Sequence, residues 1–379
     1  MLLNDKYARS ILHALHENGP LTRKQIMERL KMRLNSIVDI CNQLVEAKHI
    51  IRTDSKHQRN VPLRLNPKRF ASIGVEHAMD HVQCVLLDVN GKKISSAVFP
   101  VDETSGGLER LKRIAEIIRD FKSLQRGYEV AAIGFADIGI VNTETGTGVY
   151  CVHIPDWENI PVGKLLEKEF GLFCRIVDRS GAGALDYLRA HPDSEDVRNS
   201  LQIYAGNGIG ASILQNGRYW GADTPSSCQL GHTIAVPDGE VCHCGNRGCL
   251  ETIASVPAIL KKVKQLSGGR IASHDEFFRR AAERDRFCEL ALREAGAALG
   301  VATANVVTFT AITSICLRSV LCKVNPVYFE AFEDAVKKNV IYPFSKSVKV
   351  QINQQDDDCA AVGAAYYAQR EYFSTDRNL

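Results

Sequence analysis

The feature that most limits what this chain can fold into is a compact set of thiols and imidazoles. Gly231-His232 is followed by Cys242-His243-Cys244-Gly245-Asn246-Arg247-Gly248-Cys249. Cysteine thiolates and a histidine nitrogen complete a tetrahedral zinc shell. Cys242 and Cys244 are one residue apart, and Cys249 follows a turn holding two glycines. His232 lies ten residues upstream of Cys242, across the turn Pro237-Asp238-Gly239. Three thiolates and one imidazole leave no open position for an activated water. The expected metal is therefore a structural zinc held by His232, Cys242, Cys244 and Cys249. In an extended segment His243 points away from its neighbouring cysteines and is a weaker ligand candidate. The competing reading, a set of unconnected buried thiols, fits poorly with so compact and polar a segment.

At 379 residues the chain exceeds one hydrophobic core, so two or three domains are expected. With 45% hydrophobic and 24% charged residues it reads as a soluble globular protein. Its 12 cysteines do not reach disulfide-scaffold density, and residues 1–19 lack a secretory h-region. Clustered cysteines with histidine then favour metal in a reducing compartment such as the cytoplasm. Residues 295–317 carry no charged side chain and are long enough to span a bilayer. Their threonines and their change from alanine-rich to β-branched composition fit a buried helix followed by a buried strand, with no membrane insertion.

The net charge of +3 is uneven: residues 1–66 hold 12 Lys and Arg against 6 Asp and Glu. A basic module on a near-neutral body suits a polyanion partner. Within it, residues 4–18 place Ala8, Ile11, Leu12 and Leu15 at helical spacing, and Gly19-Pro20 ends that helix. Thr22 reads as the N-cap of a short helix through Leu30. A brief turn leads to a third helix over 35–47 with Ile37, Ile40, Cys41, Leu44 and Val45 inward. Short helix, tight turn and longer helix make a helix-turn-helix. Arg33, Asn35, Ser36, Asp39 and Asn42 face outward at the start of the third helix and could read base edges. Arg23, Lys24 and Lys31 could hold phosphates. Two short strands around a basic tip with Lys56, Gln58 and Arg59 form a wing. The expected partner is double-stranded DNA with paired half-sites, bound by a homodimer or higher homo-oligomer.

From residue 70 onward, strand-hairpin-strand-helix-strand patterns fit an α/β layer of the actin-like ATPase kind. The strands are expected near 72–76, 82–87, 93–99, 130–135 and 175–177, with helices over 107–121, 161–170 and 181–189. A further strand is expected over 312–316, and residues 370–379 read as a frayed tail.

The head, with Gln58-Arg59-Asn60-Val61-Pro62 and Leu65-Asn66-Pro67, resembles the winged helix of repressors of the ROK family (repressors, open reading frames and sugar kinases). The body over 71–372 resembles the same family through Leu230-Gly231-His232, the cysteine cluster, Leu250-Glu251 and Ser255. The resemblance implies a winged helix-turn-helix over 1–69 and a two-lobed actin-like ROK domain over 70–379, with the zinc knuckle at 232–249.

It also implies where phosphotransfer parts would lie. Kinases of the family open with Asp-x-Gly-Gly-Thr; here the match is Glu76-His77-Ala78-Met79-Asp80. Cβ atoms at Ala78 and Met79 hinder close approach of backbone amides to phosphate. The turn Gly206-Asn207-Gly208-Ile209-Gly210-Ala211 reads equally as a plain hairpin or an anion cradle. A late glycine pair is replaced by Leu317-Arg318-Ser319. The family's Asn-Asp base pair matches Arg179-Ser180, and Ser180 has no carboxylate to take a hydroxyl proton. Asp178 or Asp186 could serve as a displaced base only with a rearranged helix start. The family's Pro-Gly-x-Val-Asp reads Ile138-Gly139-Ile140-Val141-Asn142. His153 and Gln229 stand for an asparagine and a glutamate, while His232 is unchanged. The chain is therefore expected not to be an enzyme, but a carbohydrate-linked transcriptional regulator, usually a repressor in this family. His153, Arg179, Ser180, Gln229 and His232 are the candidate effector contacts. Arg179 suggests a sugar phosphate or acidic sugar. A transport-protein effector, an active carbohydrate kinase and a DNA-bound scaffold without effector are the alternatives.

Overall fold

The computed structural model describes residues 5–53, 61–220 and 228–374. It divides into two compact units: 1–189 with 358–379, and 190–357.

The first unit begins with three helices: α1 (Lys6–Asn18), α2 (Arg23–Leu30) and α3 (Leu34–Glu46). Asp5 caps α1, and Thr22 with Gln25 forms a reciprocal capping box on α2. Between α2 and α3 Lys31 takes the left-handed conformation, which ends α2 sharply. β1 (Ile50–Arg52) and β2 (Leu63–Leu65) pair antiparallel in the register Ile51 to Arg64. Ile11, Leu15, Ile26, Ile37, Leu44 and Leu63 close a small core. Residues 54–60, the expected wing tip with Lys56, Gln58 and Arg59, lie outside the described residues.

A five-stranded sheet follows, ordered β10-β6-β3-β4-β5. β3 (Ala71–His77), β4 (His81–Leu87) and β5 (Lys93–Pro100) form an antiparallel meander. α4 (Gly107–Ser123) crosses to β6 (Val130–Asp137), which lies parallel to β3. A small sheet of β7 (Ile140–Asn142), β8 (Thr147–Tyr150) and β9 (Glu158–Ile160) leads to α5 (Val162–Phe170). β10 (Phe173–Asp178) joins parallel to β6, and α6 (Arg179–Ala190) leaves its end. This helix starts two residues before the expected position because Asp178 Oδ1 accepts from Gly181 N at 2.9 Å and caps it.

The second unit repeats the plan. After α7 (Glu195–Arg198), β11 (Ser200–Ala205), β12 (Ile209–Gln215) and β13 (Arg218–Tyr219) form another antiparallel meander. α8 (Glu251–Ala254), α9 (Val256–Leu266), α10 (His274–Ala282) and α11 (Arg286–Thr310) follow. β14 (Ser314–Arg318) lies parallel to β11. α12 (Val320–Val324), α13 (Pro326–Asn339) and β15 (Lys349–Ile352) complete a sheet ordered β13-β12-β11-β14-β15. Each sheet thus has a meander on one side and two added parallel strands on the other. α11 is long and apolar enough to cross a membrane by length and composition. Its Leu292, Leu299, Ala304 and Val307 are instead buried in this unit's core. β14 begins two residues later than expected, because α11 continues to Thr310 and ends on Ala311 in the left-handed conformation.

The chain ends back in the first unit with α14 (Cys359–Phe373). Its small residues let it lie directly on the sheet: a Cβ at Gly74 would meet Ala361 O at 1.8 Å, and one at Gly134 would meet Ala364 O at 1.9 Å. The expected frayed tail from 370 is wrong as far as Phe373. Tyr372 and Phe373 stay helical because their rings pack with Phe70, and His16 of α1 stacks on Phe373 at 4.7 Å.

Candidate functional sites

In the head, α3 buries Ile37, Cys41 and Leu44 and turns Arg33, Asn35, Ser36, Asp39 and Asn42 outward, all exposed. Lys24 and Lys31 are exposed beside them, and Arg23 is half-buried. Arg23 Nη2 donates to Asn42 Oδ1 at 3.0 Å, so these two are paired across α2 and α3. Lys24 lies 3.9 Å from Glu28, an exposed pair that leaves its charge available.

In the second unit, one ligand atom each from His232, Cys242, Cys244 and Cys249 falls within 4.8 Å of the others. Cys244 Sγ and Cys249 Sγ are 3.6 Å apart, too far for a disulfide. Cys242 Sγ is 3.6 Å from His232 Nδ1. A tetrahedron with ~2.3 Å metal–sulfur bonds has edges of about 3.8 Å, so the donor set fits a zinc ion. Cys249 is fully buried and Cys242 nearly so. With Nδ1 turned to the thiols, the Nε2 side of the His232 ring remains for other contacts. His243 is exposed and outside the four.

At the positions where the resemblance implies phosphotransfer parts, the chain's own side chains meet one another. In the first unit the buried Glu76 carboxylate has Arg179 Nε at 2.6 Å, a guanidinium where a metal-bearing acid would need its cation. The contact is ionic, since Glu76 Oε1 accepts no hydrogen bond among the described residues. The alternative bases are committed elsewhere: Asp178 caps α6, and Asp186 Oδ1 accepts from Arg189 Nε at 2.9 Å.

In the second unit Gly206-Asn207-Gly208 is the turn of the β11–β12 hairpin. An anion is already there, because Ile209 N donates to Glu251 Oε2 at 2.9 Å. A Cβ at Gly208 would lie 2.9 Å from that same oxygen. Tyr204 folds over the turn, its Oη only 2.3 Å from where a Cβ of Gly206 would stand. The Arg318 guanidinium lies 5.3 Å from the Tyr204 ring centroid and reaches Asp356 O and Asp357 Oδ1 at 3.3 and 3.4 Å. Contrary to the expected boundary, Arg318 closes β14 rather than following it.

Of the candidate effector residues, His153, Arg179 and Ser180 belong to the first unit, with His153 exposed and the other two half-buried. Gln229, exposed, and His232, half-buried, belong to the second. Sequence reasoning named Glu251 only as part of the family match, without its bond to the turn, and missed Tyr204 and a buried polar chain through Arg110. The last had one visible signal: Arg110 falls on the apolar stripe of α4 with Leu111, Ile114, Ile117 and Phe121.

Compared with protein-family models, residues 72–371 match the model described as ROK family. The chain belongs to the ROK family. Among curated proteins it is 28% identical over 372 residues to the DNA-binding transcriptional dual regulator NagC of Escherichia coli strain K12, spanning 94% of this chain and 90% of that one. Among solved structures it superposes with TM-score 0.82 and 24% identity on a ROK family transcriptional regulator, a homologue of the E. coli MLC protein, covering 97% of both chains. A ROK family glucokinase from Streptomyces griseus with glucose and AMPPNP shares the fold at TM-score 0.68 and 20% identity, over 79% of this chain and 99% of its own.

Proposed function

We propose that this ROK protein is a DNA-binding transcriptional repressor of carbohydrate-related genes whose body senses a sugar and performs no phosphotransfer. The observation that carries this reading is the head. The outward face of α3 offers Arg33, Asn35, Ser36, Asp39 and Asn42 while its inner face closes a core. In a winged helix-turn-helix over 1–69, that face enters the major groove and the basic residues of α2 hold phosphates. NagC, similar along almost the whole chain, is named a DNA-binding regulator. A homodimer or higher homo-oligomer places two heads on paired half-sites, and the protein works in the bacterial cytoplasm. Selection of bound duplexes from a random pool tests this. Recovery of a two-half-site sequence is expected, with Asn35→Ala losing about 1–3 kcal/mol of binding. Indifference to every duplex at physiological salt would overturn the reading.

The remaining domain, 70–379, is the sensor, with structural zinc at its 232–249 knuckle and His153, Arg179, Ser180, Gln229 and His232 as effector contacts. Arg179 has its charge met by Glu76, with Asp80 also bearing on it. This favours an uncharged sugar over the acidic one suggested by Arg179 alone. Similar proteins are named for N-acetylglucosamine and xylose, and the glucokinase holds glucose; calorimetric titration should show one of these sugars bound more tightly than the matching phosphate. The reverse order would return Arg179 to the role of anion ligand, and binding of a transport protein in place of any sugar would replace the small effector. With Glu251 and Arg318 lodged in the phosphate and nucleotide positions, ADP release with hexoses should stay at background. Turnover in the ~1–100 s⁻¹ range of kinases would overturn the non-enzymatic reading.

A further inference from the structure

α4 carries a guanidinium with no exposure to solvent, and no role given so far to the sensor accounts for it. Arg110 Nε donates to His77 Nε2 at 2.7 Å. Its Nη1 donates to Asp102 O at 2.8 Å and Ser105 O at 3.2 Å, and its Nη2 to Ala78 O at 2.6 Å and to Met79 O. All five N–H groups of the side chain are thereby engaged. Because His77 Nε2 accepts, the ring carries its proton on Nδ1, which faces Asp137 Oδ1 at 3.4 Å as an electrostatic contact without hydrogen-bond geometry. Burial pushes His77 toward the neutral form, consistent with that tautomer. Asp137 Oδ1 accepts from Gly139 N at 3.2 Å, and its Oδ2 from Trp157 Nε1 at 2.8 Å. The Trp157 ring closes the circuit against His77, centroids 4.5 Å apart. His77, Arg110 and Asp137 have no exposure and Trp157 only 1%.

Four partners, three on β3, α4 and β6 and the fourth on the segment just before β9, thus hold the ends of three loops besides the turn at 102–105. Arg110 fixes the Ala78-Met79 turn by its carbonyls. Asp137 fixes the turn at Gly139. Trp157 fixes the segment that carries His153. A buried polar group left without a partner is costly, so this circuit is stable with all its members and unstable with one missing. An ordinary core would fill the same volume with apolar side chains. The gain from a polar circuit is geometric, since hydrogen bonds fix direction where apolar contacts do not.

We propose that Arg110, His77, Asp137 and Trp157 form a positioning spine that sets the loops at 78–80, 138–139 and 151–157 in the conformation that receives the effector. The nature of the ligand rests on the carbohydrate-sensor reading; the positioning does not. The test compares His77→Leu, which fills the space without nitrogen atoms, with His77→Gln, whose amide can accept from Arg110 and donate toward Asp137. Amide hydrogen exchange in His77→Leu is expected to quicken by about tenfold or more in the three loops, with β3, β6 and α14 unchanged and with His77→Gln returning the loops toward the original rates. Trp157→Phe keeps a ring but removes the donor to Asp137, and should release 151–157 alone; it decides the matter should His77→Leu fail to fold. Loops that exchange at the original rates in these variants, or strands and loops that quicken together, would overturn the spine. Titration with N-acetylglucosamine runs alongside. Affinity should fall about tenfold in His77→Leu and recover in His77→Gln. Absence of binding by the unaltered protein would count against the sugar reading, while the exchange rates would still decide the spine.

Discussion

Serine in place of Cys249 is expected to strip the chain of a single zinc ion and to unfold residues 232–249, with a large fall in thermal stability. The knuckle has almost no core of its own. Between Thr233 and Asn246 most residues are exposed or half-buried. Its regular structure amounts to isolated bridges such as Ile234 to Cys249 and Val241 to Arg247. Backbone bonds from Cys242 N to Asn246 O and from Gly248 N to Glu240 O hold the turn but bury little. A structural zinc contributes about 10–16 kcal/mol to folding of small metal-bound units at neutral pH, far above what these bridges supply. An ion bound there would therefore do the work of a core. Elemental analysis should find zinc in the unaltered protein and none in Cys249→Ser, and chelation should reproduce the variant's melting curve. Because His232 is both a ligand and an effector candidate, sugar binding should fall with the metal. A Cys249→Ser protein that retains metal and melts normally would refute this account.

The cluster was readable from sequence because its chemistry is local: four ligands within eighteen residues, with glycines and a proline marking the turns. The head was readable for a similar reason. Thr22 and Gln25 sit at capping-box spacing, and the inward residues of α1 and α3 recur at helical period. The reach of α14 was not readable. A run rich in alanine and glycine looks like any close-packing helix, and Tyr372 and Phe373 find their partners, Phe70 and His16, some three hundred residues away. Local propensity carries no record of such contacts, so the helix runs four residues past the expected end.

The body was legible by subtraction and illegible in detail. Ala78 and Met79 where the resemblance implies glycines, and Ser180 where it implies a carboxylate, were the grounds for expecting no phosphotransfer. What fills their places required coordinates, because Glu76 with Arg179, Ile209 with Glu251 and Tyr204 with Arg318 are all distant pairs in the chain. Arg179 illustrates the limit. In sequence it is an available cation; in the fold it is the counter-ion of a buried acid.

The other large effect is expected at α14. Alanine at Gly74 or Gly134 should destabilise the first unit by about 3 kcal/mol or more, beyond the ordinary range for an overpacked side chain. At both positions the new Cβ would lie under 2 Å from a carbonyl oxygen of α14, and backbone cannot swing aside as a flexible side chain can. The same holds where α14 meets α6: a Cβ at Gly363 would stand 1.7 Å from Ala182 O. Gly183, one residue further along α6, is the control, since its Cβ would have only Cys359 Sγ at 3.8 Å. Gly183→Ala should be neutral or stabilise by about 0.5–1 kcal/mol, because alanine favours a helix interior over glycine. Displacing α14 also displaces Phe373 from Phe70 and His16, so the head should loosen along with the sheet. Denaturant melts that place Gly134→Ala and Gly363→Ala well below the parent and Gly183→Ala at or above it would bear this out. Equal stability of all three would mean that the sheet and α6 can yield to α14, and that its small residues are not there to let backbone touch backbone.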